Sequence, residues 1–239
     1  MEKLDLLYEG KAKRIYKTSD ENVVWVEYKD SATAFNGEKK AQITGKGRLN
    51  NEITSLLFEK LRQDGVQNHF IKKVSDIEQL VKKVEIIPLE VVVRNIIAGS
   101  LSKRLGIEEG TPLEESIVEF YFKNDDLGDP LVTEDHIKTL KLATPEQLHV
   151  LREIGLKVND ILLAHFSSCN LRLVDFKLEF GIDEDGQIML ADEISPDTCR
   201  LWDKDTNEKF DKDVFRRDIG NLTEAYTEIL NRLGGKQHV

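Results

Sequence analysis

Apolar residues alternate with polar ones in some stretches of this chain and recur every three to four positions in others, so strands and helices are mixed along its length. Residues 5–30 read as strands. Leu6, Leu7 and Tyr8 run into Glu9-Gly10-Lys11-Ala12-Lys13 and then Arg14-Ile15-Tyr16. A turn at Asp20-Glu21-Asn22 leads to the β-rich run Val23-Val24-Trp25-Val26. Residues 31–47 are small and polar and contain Gly37, Gly45 and Gly47, which predicts a mobile loop. Residues 48–64 predict a helix with Ile53, Leu56, Leu57 and Leu61 on one face and Gly65 as its stop. Val84 to Arg94 is strand-like and interrupted by Pro88. A boundary or hinge near residues 82–88 divides the chain into a β-rich part, 1–83, and an α/β part, 84–239.

Thr144-Pro145-Glu146-Gln147 has the form of a helix start: Thr144 can cap, Pro145 suits the first turn and Gln147 completes a capping box. Leu148, Leu151, Ile154, Val158, Ile161 and His165 then share a face. A last helix carries Phe215, Ile219, Leu222, Tyr226, Ile229 and Leu233 and ends at Gly234-Gly235. The class is α+β or α/β.

The segment Leu171–Ile194 carries the most chemistry. Alternate side chains of a strand share a face. Val174, Phe176, Leu178 and Phe180 therefore form a core face, and Asp175, Lys177 and Glu179 a polar one. Asp185-Gly186 predicts a two-residue hairpin turn. In that register Glu179 faces Asp192. Directly opposed carboxylates repel, so they call for a cation between them. Magnesium is the hard-oxygen partner expected, with nucleotide phosphates completing its shell. Spacing alone is equally compatible with an ordinary amphipathic hairpin whose charged face is solvated. The following Asp192-Glu193-Ile194-Ser195-Pro196-Asp197-Thr198-Cys199-Arg200 adds further polar groups at the same end.

Composition narrows the partners. The chain has 239 residues, 40% of them hydrophobic and 33% charged, with a net charge of −10. That charge argues against non-specific nucleic-acid or anionic-membrane binding, while a local basic pocket remains open to small anions. Cys169 and Cys199 form no metal-type spacing. No secretory signal or membrane-length apolar run is present, so a cytoplasmic globular protein is expected. The five histidines, at 69, 136, 149, 165 and 238, form no ligand cluster and read as structural or surface residues.

Tyr8-Glu9-Gly10-Lys11-Ala12-Lys13 places a glycine and two lysines between strands. The glycine lets a ligand approach the backbone, and lysines two apart share a strand face. Neither a Walker A sequence nor GxGxxG occurs. In isolation a hairpin turn with solvated lysines accounts for the segment. Beside a paired-carboxylate magnesium site, it suits ATP.

Two longer segments carry a resemblance. Ile86-Ile87-Pro88-Leu89-Glu90-Val91-Val92-Val93-Arg94-Asn95-Ile96-Ile97-Ala98-Gly99-Ser100 resembles one signature of the phosphoribosylaminoimidazole-succinocarboxamide synthase family, and Leu173-Val174-Asp175-Phe176-Lys177-Leu178-Glu179-Phe180-Gly181 resembles the other. YEGKAK near the N-terminus, FKNDD at 122–126 and DEISPD at 192–197 are similar to family segments in the same order, so the resemblance covers nearly the whole chain. It implies an α+β, two-lobed, ATP-grasp-like fold with antiparallel sheets and the active site in the cleft between lobes. It implies nucleotide contacts from Gly10, Lys11, Ala12, Lys13, Lys83, Lys123 and Glu179, with adenine near residues 81–86. It implies that Glu179 and Asp192 bind Mg2+. Arg94, Ser100, Asp175, Lys177, Asp197 and Arg200 would hold the ribotide, and Lys13, Asp175 and Lys177 would serve catalysis.

The residues themselves leave simpler roles open: Arg94 as a surface cation, Ser100 as a helix cap, Asp197 as a turn former. The family pattern has aspartate where this chain has Asn36, and Glu38 is the candidate to compensate. The site for L-aspartate is left unassigned.

The activity implied is ATP-dependent coupling of L-aspartate to a carboxylated aminoimidazole ribotide. ATP would convert the carboxylate to an acyl phosphate that the amine attacks. Such chemistry needs neutralisation and alignment more than a protein nucleophile. Residues 31–47 would close over the substrates, and the resemblance suggests a homodimer. Two rival readings share the ATP machinery. A small-molecule kinase would release ADP regardless of aspartate, and a non-catalytic nucleotide sensor would not turn over at all.

Overall fold

The computed structural model describes residues 1–34 and 37–234. Strands β1 (Lys3–Glu9), β2 (Lys13–Thr18) and β3 (Val23–Tyr28) form successive antiparallel hairpins. A short hairpin, β4 (Ser31–Ala34) and β5 (Lys39–Gln42), precedes α1 (Lys46–Gln63). Strands β6 (Phe70–Lys73) and β7 (Glu78–Lys82) complete a five-stranded antiparallel sheet in the order β1-β2-β3-β7-β6.

Strand β8 (Glu85–Ile96) opens a second sheet and is followed by α2 (Gly99–Leu105), β9 (Pro112–Phe122), a 3₁₀ turn at Asp125–Leu127 and β10 (Leu131–Val132). Helices α3 (Glu134–Leu140) and α4 (Pro145–Ser168) lead to β11 (Leu171–Ile182), β12 (Ile188–Ala191) and β13 (Cys199–Asp203). Strand β11 pairs with β8 on one edge; on the other it pairs with β13 and then β12. Helices α5 (Asp213–Arg216) and α6 (Leu222–Arg232) close the described chain. The architecture is α+β with antiparallel sheets, as the resemblance implies.

One large core joins the parts. Helix α1 buries Ile53, Leu57 and Leu61 in the same apolar cluster as Val91 and Val93 of β8, Phe176, Leu178 and Phe180 of β11, and Tyr226 and Ile229 of α6. Each fully buried aliphatic side chain there contributes roughly 1.5–3 kcal/mol. Helix α4 begins with the capping box read from its sequence, Thr144 accepting from the Gln147 N–H and Gln147 from that of Thr144. Its buried line runs through Leu148, Leu151, Gly155, Val158, Leu162 and Phe166, so His165 lies beside the apolar face rather than on it.

Several expectations are corrected. The predicted loop 31–47 contains the β4–β5 hairpin, in which Ala32 and Ala34 alternate inward and are buried, and the first two residues of α1. Phe35 and Asn36 lie outside the described residues. Strand β8 runs unbroken through Pro88. The register against β11 shifts between the Glu179–Glu90 and Gly181–Ile86 pairs, where a missing N–H breaks no ladder bond. The predicted last helix is two helices. Asp218 has φ +54, and the Asn221 side chain starts α6 by accepting from Thr223 and Glu224, leaving Ile219 54% exposed. Gly235 lies outside the described residues.

In β11 a bulge between Leu173 and Asp175 shifts the alternation. Val174 therefore leaves the main core face and packs with Ile96, Ala98 and Trp202. Asp175, Lys177 and Glu179 keep a common face. The β11–β12 turn spans residues 183–187, with Asp183 Oδ1 accepting from the Asp185 and Gln187 N–H groups and Gly186 at φ +78. That turn puts Ala191 opposite Glu179, and Asp192 follows one residue past the ladder at φ +58.

Candidate active site

A cavity of about 720 Å³ lies between the β1–β2 turn, the polar face of β8 and β11, the loop 123–129 and the segment after β12. Gly10, Lys11, Ala12 and Lys13 line it, as do Lys123, Lys177, Glu179 and Asp192. The turn is held by the Gly10 N–H donating to the Lys13 carbonyl at 2.9 Å. Lys11 reaches outward to Asp125, 2.7 Å away, and both remain largely exposed.

Lys13 points inward from the first sheet and meets Asp192 at 2.5 Å and Glu193 at 2.9 Å. Burial alone would lower its ammonium, but these two carboxylates more than offset burial and hold it well above the usual lysine value. Asp192 is the counterpart. Burial works against its charge, yet Lys13 and Lys177 hold its carboxyl well below the usual range.

Glu179, 6% exposed at its side chain, accepts from Lys177 at 2.7 Å and Lys123 at 2.5 Å. Lys177 also donates to Glu90 at 3.0 Å. Glu90 pairs with Glu179 across the β8–β11 ladder, so Lys177 neutralises two neighbouring carboxylates. Glu179 and Asp192 thus face one cavity without the direct cross-strand pairing expected.

A smaller cavity of about 160 Å³ adjoins, lined by Arg94, Asp175, Lys177, Asp197, Arg200 and Arg216 among others. Arg94 is 3% exposed and donates to Glu119 at 2.6 Å, Asp175 at 2.9 Å, Tyr121 at 3.0 Å and Ser100 at 3.1 Å. Arg94 is therefore no surface cation. Ser100 does not line either cavity; it lies at the start of α2 and accepts from Arg94. Arg200 is bonded to Asp175 and, at 3.1 Å, to Asp213. Burial opposes its charge, and the two carboxylates outweigh it, so its pKa is raised. Asp213 also holds Arg216 at 2.6 Å.

Asp197 is more than a turn former. Its side chain, 5% exposed, accepts from Lys46, from Asn50 at 2.9 Å and from the Tyr226 hydroxyl at 2.6 Å. Lys83 stands apart: it is exposed, its N–H bonds the Asn22 carbonyl, and it lines neither cavity.

Sequence reasoning missed Lys46, Glu90, Glu193, Lys212, Asp213 and Arg216. Glu90 had a signal, as the one charged residue between Glu85 and Arg94 in an apolar run. Lys46 had none, being 1% exposed in a glycine-flanked polar stretch. Among the described residues no group of three or more His, Cys, Asp or Glu side chains could hold a metal by itself. No described helix is long and apolar enough to cross a membrane.

Comparison with known proteins completes the assignment. The family model described as SAICAR synthetase matches residues 6–233. A phosphoribosylaminoimidazole-succinocarboxamide synthase of Bacillus mycoides (strain KBAB4) is 74% identical over 239 residues, covering 100% of both chains. The crystal structure of that synthase from Ehrlichia chaffeensis superposes with a TM-score of 0.95 at 48% identity, over 98% of this chain and 100% of the other. A SAICAR synthetase solved in complex with ADP superposes with a TM-score of 0.94, also at 48% identity and with the same coverage. With a match of this length and identity, the chain belongs to the SAICAR synthetase family.

Proposed function

We propose that this chain is an ATP-dependent carbon–nitrogen ligase. It joins L-aspartate to the carboxylate of 5-amino-1-(5-phosphoribosyl)imidazole-4-carboxylate (CAIR), giving SAICAR, ADP and phosphate in purine biosynthesis. Family membership supports this reading and lends nothing to the kinase or sensor alternatives. The observation that carries it is the junction of two unlike cavities. One is lined by lysines, which suit the phosphates of a nucleoside triphosphate, and by carboxylates, which suit its accompanying cation. The other is lined by Arg94, Arg200 and Arg216, the residue type suited to a sugar phosphate.

In this reading the Gly10–Lys13 turn and Lys123 approach the ATP phosphates. Arg94, Arg200 and Asp197 hold the ribotide, with Ser100 acting through Arg94. Lys13, Asp175 and Lys177 align and neutralise the reacting groups. Lys83 contributes only through its main chain, near the adenine. Residues 1–83 supply the Gly10–Lys13 side of the nucleotide cavity, and 84–239 carry its metal-binding carboxylates together with the ribotide site. The β4–β5 hairpin closes over the substrates and excludes water from the intermediate.

Mg2+ suits the donor set. It binds through one or two carboxylates plus phosphate oxygens, and Glu179 and Asp192 offer two carboxylates on one cavity. Bound there, the ion would neutralise phosphate charge. The protein's own share is charge placement. Lys13 and Lys177 lie where phosphate oxygens would gather, and water exclusion strengthens each contact. We extend the proposal to a cytoplasmic homodimer, which sedimentation of the purified protein tests.

The deciding assay is ADP release with CAIR and ATP, run with and without L-aspartate. Release that depends on aspartate supports the ligase. Release indifferent to aspartate refutes it. Labelled CAIR carboxylate oxygen appearing in released phosphate supports the acyl phosphate, and its absence refutes that intermediate.

A further inference from the structure

Strand β12 stops one residue short of Asp192, and the way it stops decides where that carboxylate points. Ala191 pairs with Glu179, so their side chains share a face of the sheet. Successive side chains of a strand point to opposite faces. A regular continuation of β12 would therefore send Asp192 away from Glu179. Instead Asp192 takes φ +58, a left-handed conformation that a residue with a Cβ keeps only where its surroundings hold it. The turn brings its carboxylate back to the cavity that Glu179 lines.

One residue grips the chain on both sides of that turn. The His69 N–H donates to the Leu190 carbonyl at 2.9 Å, and its imidazole Nε2 lies 3.2 Å from the Asp192 carbonyl oxygen. A carbonyl only accepts, so Nε2 carries the hydrogen of this bond. The backbone beneath the ring is fixed as well. The Leu190 N–H donates to the Gln67 carbonyl at 3.1 Å, and the Lys82 N–H to the His69 carbonyl at 2.7 Å. His69 is 6% exposed, and its ring stands edge-on to Phe58 of α1, with centroids 5.5 Å apart and planes at 84°. It lines neither cavity, so it reaches the site only through Asp192. Lys13 also holds Asp192, but through the carboxylate, and Lys13 is assigned above to the ATP phosphates. The His69 bond goes to the main chain and takes neither carboxylate oxygen. We propose that His69 is a positioning residue whose Nε2–H holds the Asp192 peptide in its left-handed turn and so aims the carboxylate at the divalent cation accompanying ATP. The inference rests on the metal assignment made in the ligase reading above.

The test sets the donor against the ring. His69→Phe keeps an aromatic ring beside Phe58 and removes the donor. His69→Gln gives up the ring and keeps an N–H donor at the reach of Nε2. Binding of Mn2+ to each protein in the presence of ADP needs no turnover, and water-proton relaxation separates the protein-bound ion from Mn2+–ADP free in solution. The Mn2+ dissociation constant is expected to rise about 10-fold or more in His69→Phe and to stay near the parent value in His69→Gln, with the KM for CAIR unchanged in both. A phenylalanine variant that binds Mn2+ like the parent, or a glutamine variant that loses as much as phenylalanine, overturns the proposal and leaves His69 a packing residue. The parent gives a second reading without any substitution. NMR of its imidazole nitrogens should find the hydrogen of His69 on Nε2, and a neutral ring carrying it on Nδ1 alone overturns the proposal. If the parent binds no Mn2+ with ADP, the metal assignment itself has failed, and this inference falls with it.

Discussion

Arg200 lays one guanidinium nitrogen against both oxygens of Asp175, at 3.0 and 2.8 Å. Arg94 donates to the same carboxylate at 2.9 Å. One buried acid therefore sets the separation of two cations that would otherwise repel. Asp175→Asn removes the shared charge and turns an amide toward one guanidinium. Breaking a buried ion pair in this way costs about 3–5 kcal/mol. Urea unfolding should show that loss, together with a raised KM for CAIR. Unchanged stability would mean that Glu119 and Asp213 suffice to hold the arginines.

Gly99 tests the same arginine from the other side. It has φ +54, and a Cβ placed there would lie 2.3 Å from Arg200 Nη2 and 2.7 Å from its central carbon. Gly99→Ala must displace the guanidinium or strain the entry to α2. The expected result is a KM for CAIR raised about tenfold, which corresponds to 1.4 kcal/mol, with the KM for ATP little changed. Equal shifts in both constants would point to general distortion.

The legible parts of this fold were those fixed by local chemistry. The Thr144 capping box, the β-rich start and the polar face of β11 need only neighbours in sequence. The register error at Glu179 arose because Asp185-Gly186 looks like a complete turn, whereas Asp183 accepts from two backbone N–H groups and enlarges it. That change moves Ala191 into the position expected for Asp192, yet both acids still reach the cavity because Asp192 turns off the strand at φ +58. The support around Asp197 comes from residues 46, 50 and 226, and no local pattern announces contacts so distant in the chain. The split of the last helix was legible in Gly220-Asn221, which apolar periodicity outvoted.

Asp211 should leave a mark on the pH dependence of stability. It is fully buried, accepts from the Leu201 and Asp213 N–H groups, and bonds no cation. Burial, then the neighbouring Asp213 charge, pushes its carboxyl up to about 7 from 3.8. The folded state thus binds a proton that the unfolded state releases. Stability from this group is complete below about pH 4 and is lost as pH rises through 7, by up to about 4 kcal/mol. Asp211→Asn should abolish that fall while lowering stability at acid pH, since the amide can accept only one of the two bonds. Urea unfolding from pH 4 to 8 decides it; a slope unchanged in the variant would assign the titration elsewhere.

Glu179 separates metal binding from lysine placement. Its two oxygens each take one lysine, Lys177 on Oε1 and Lys123 on Oε2, and Glu90 gives Lys177 a second acceptor. Glu179→Gln leaves Lys123 facing the amide and removes one negative charge from the cavity. If Glu179 serves only to place lysines, the KM for ATP changes and the magnesium concentration for half-maximal rate does not. If it binds the ion, that concentration rises about 10–100-fold, the scale of loss seen when metal sites are weakened, and kcat falls even at saturating ATP. Magnesium titrations of ADP release at fixed ATP distinguish the outcomes. Lys123→Met provides the control, because it frees the same oxygen of Glu179 without removing the carboxylate, so its magnesium requirement should stay near that of the parent.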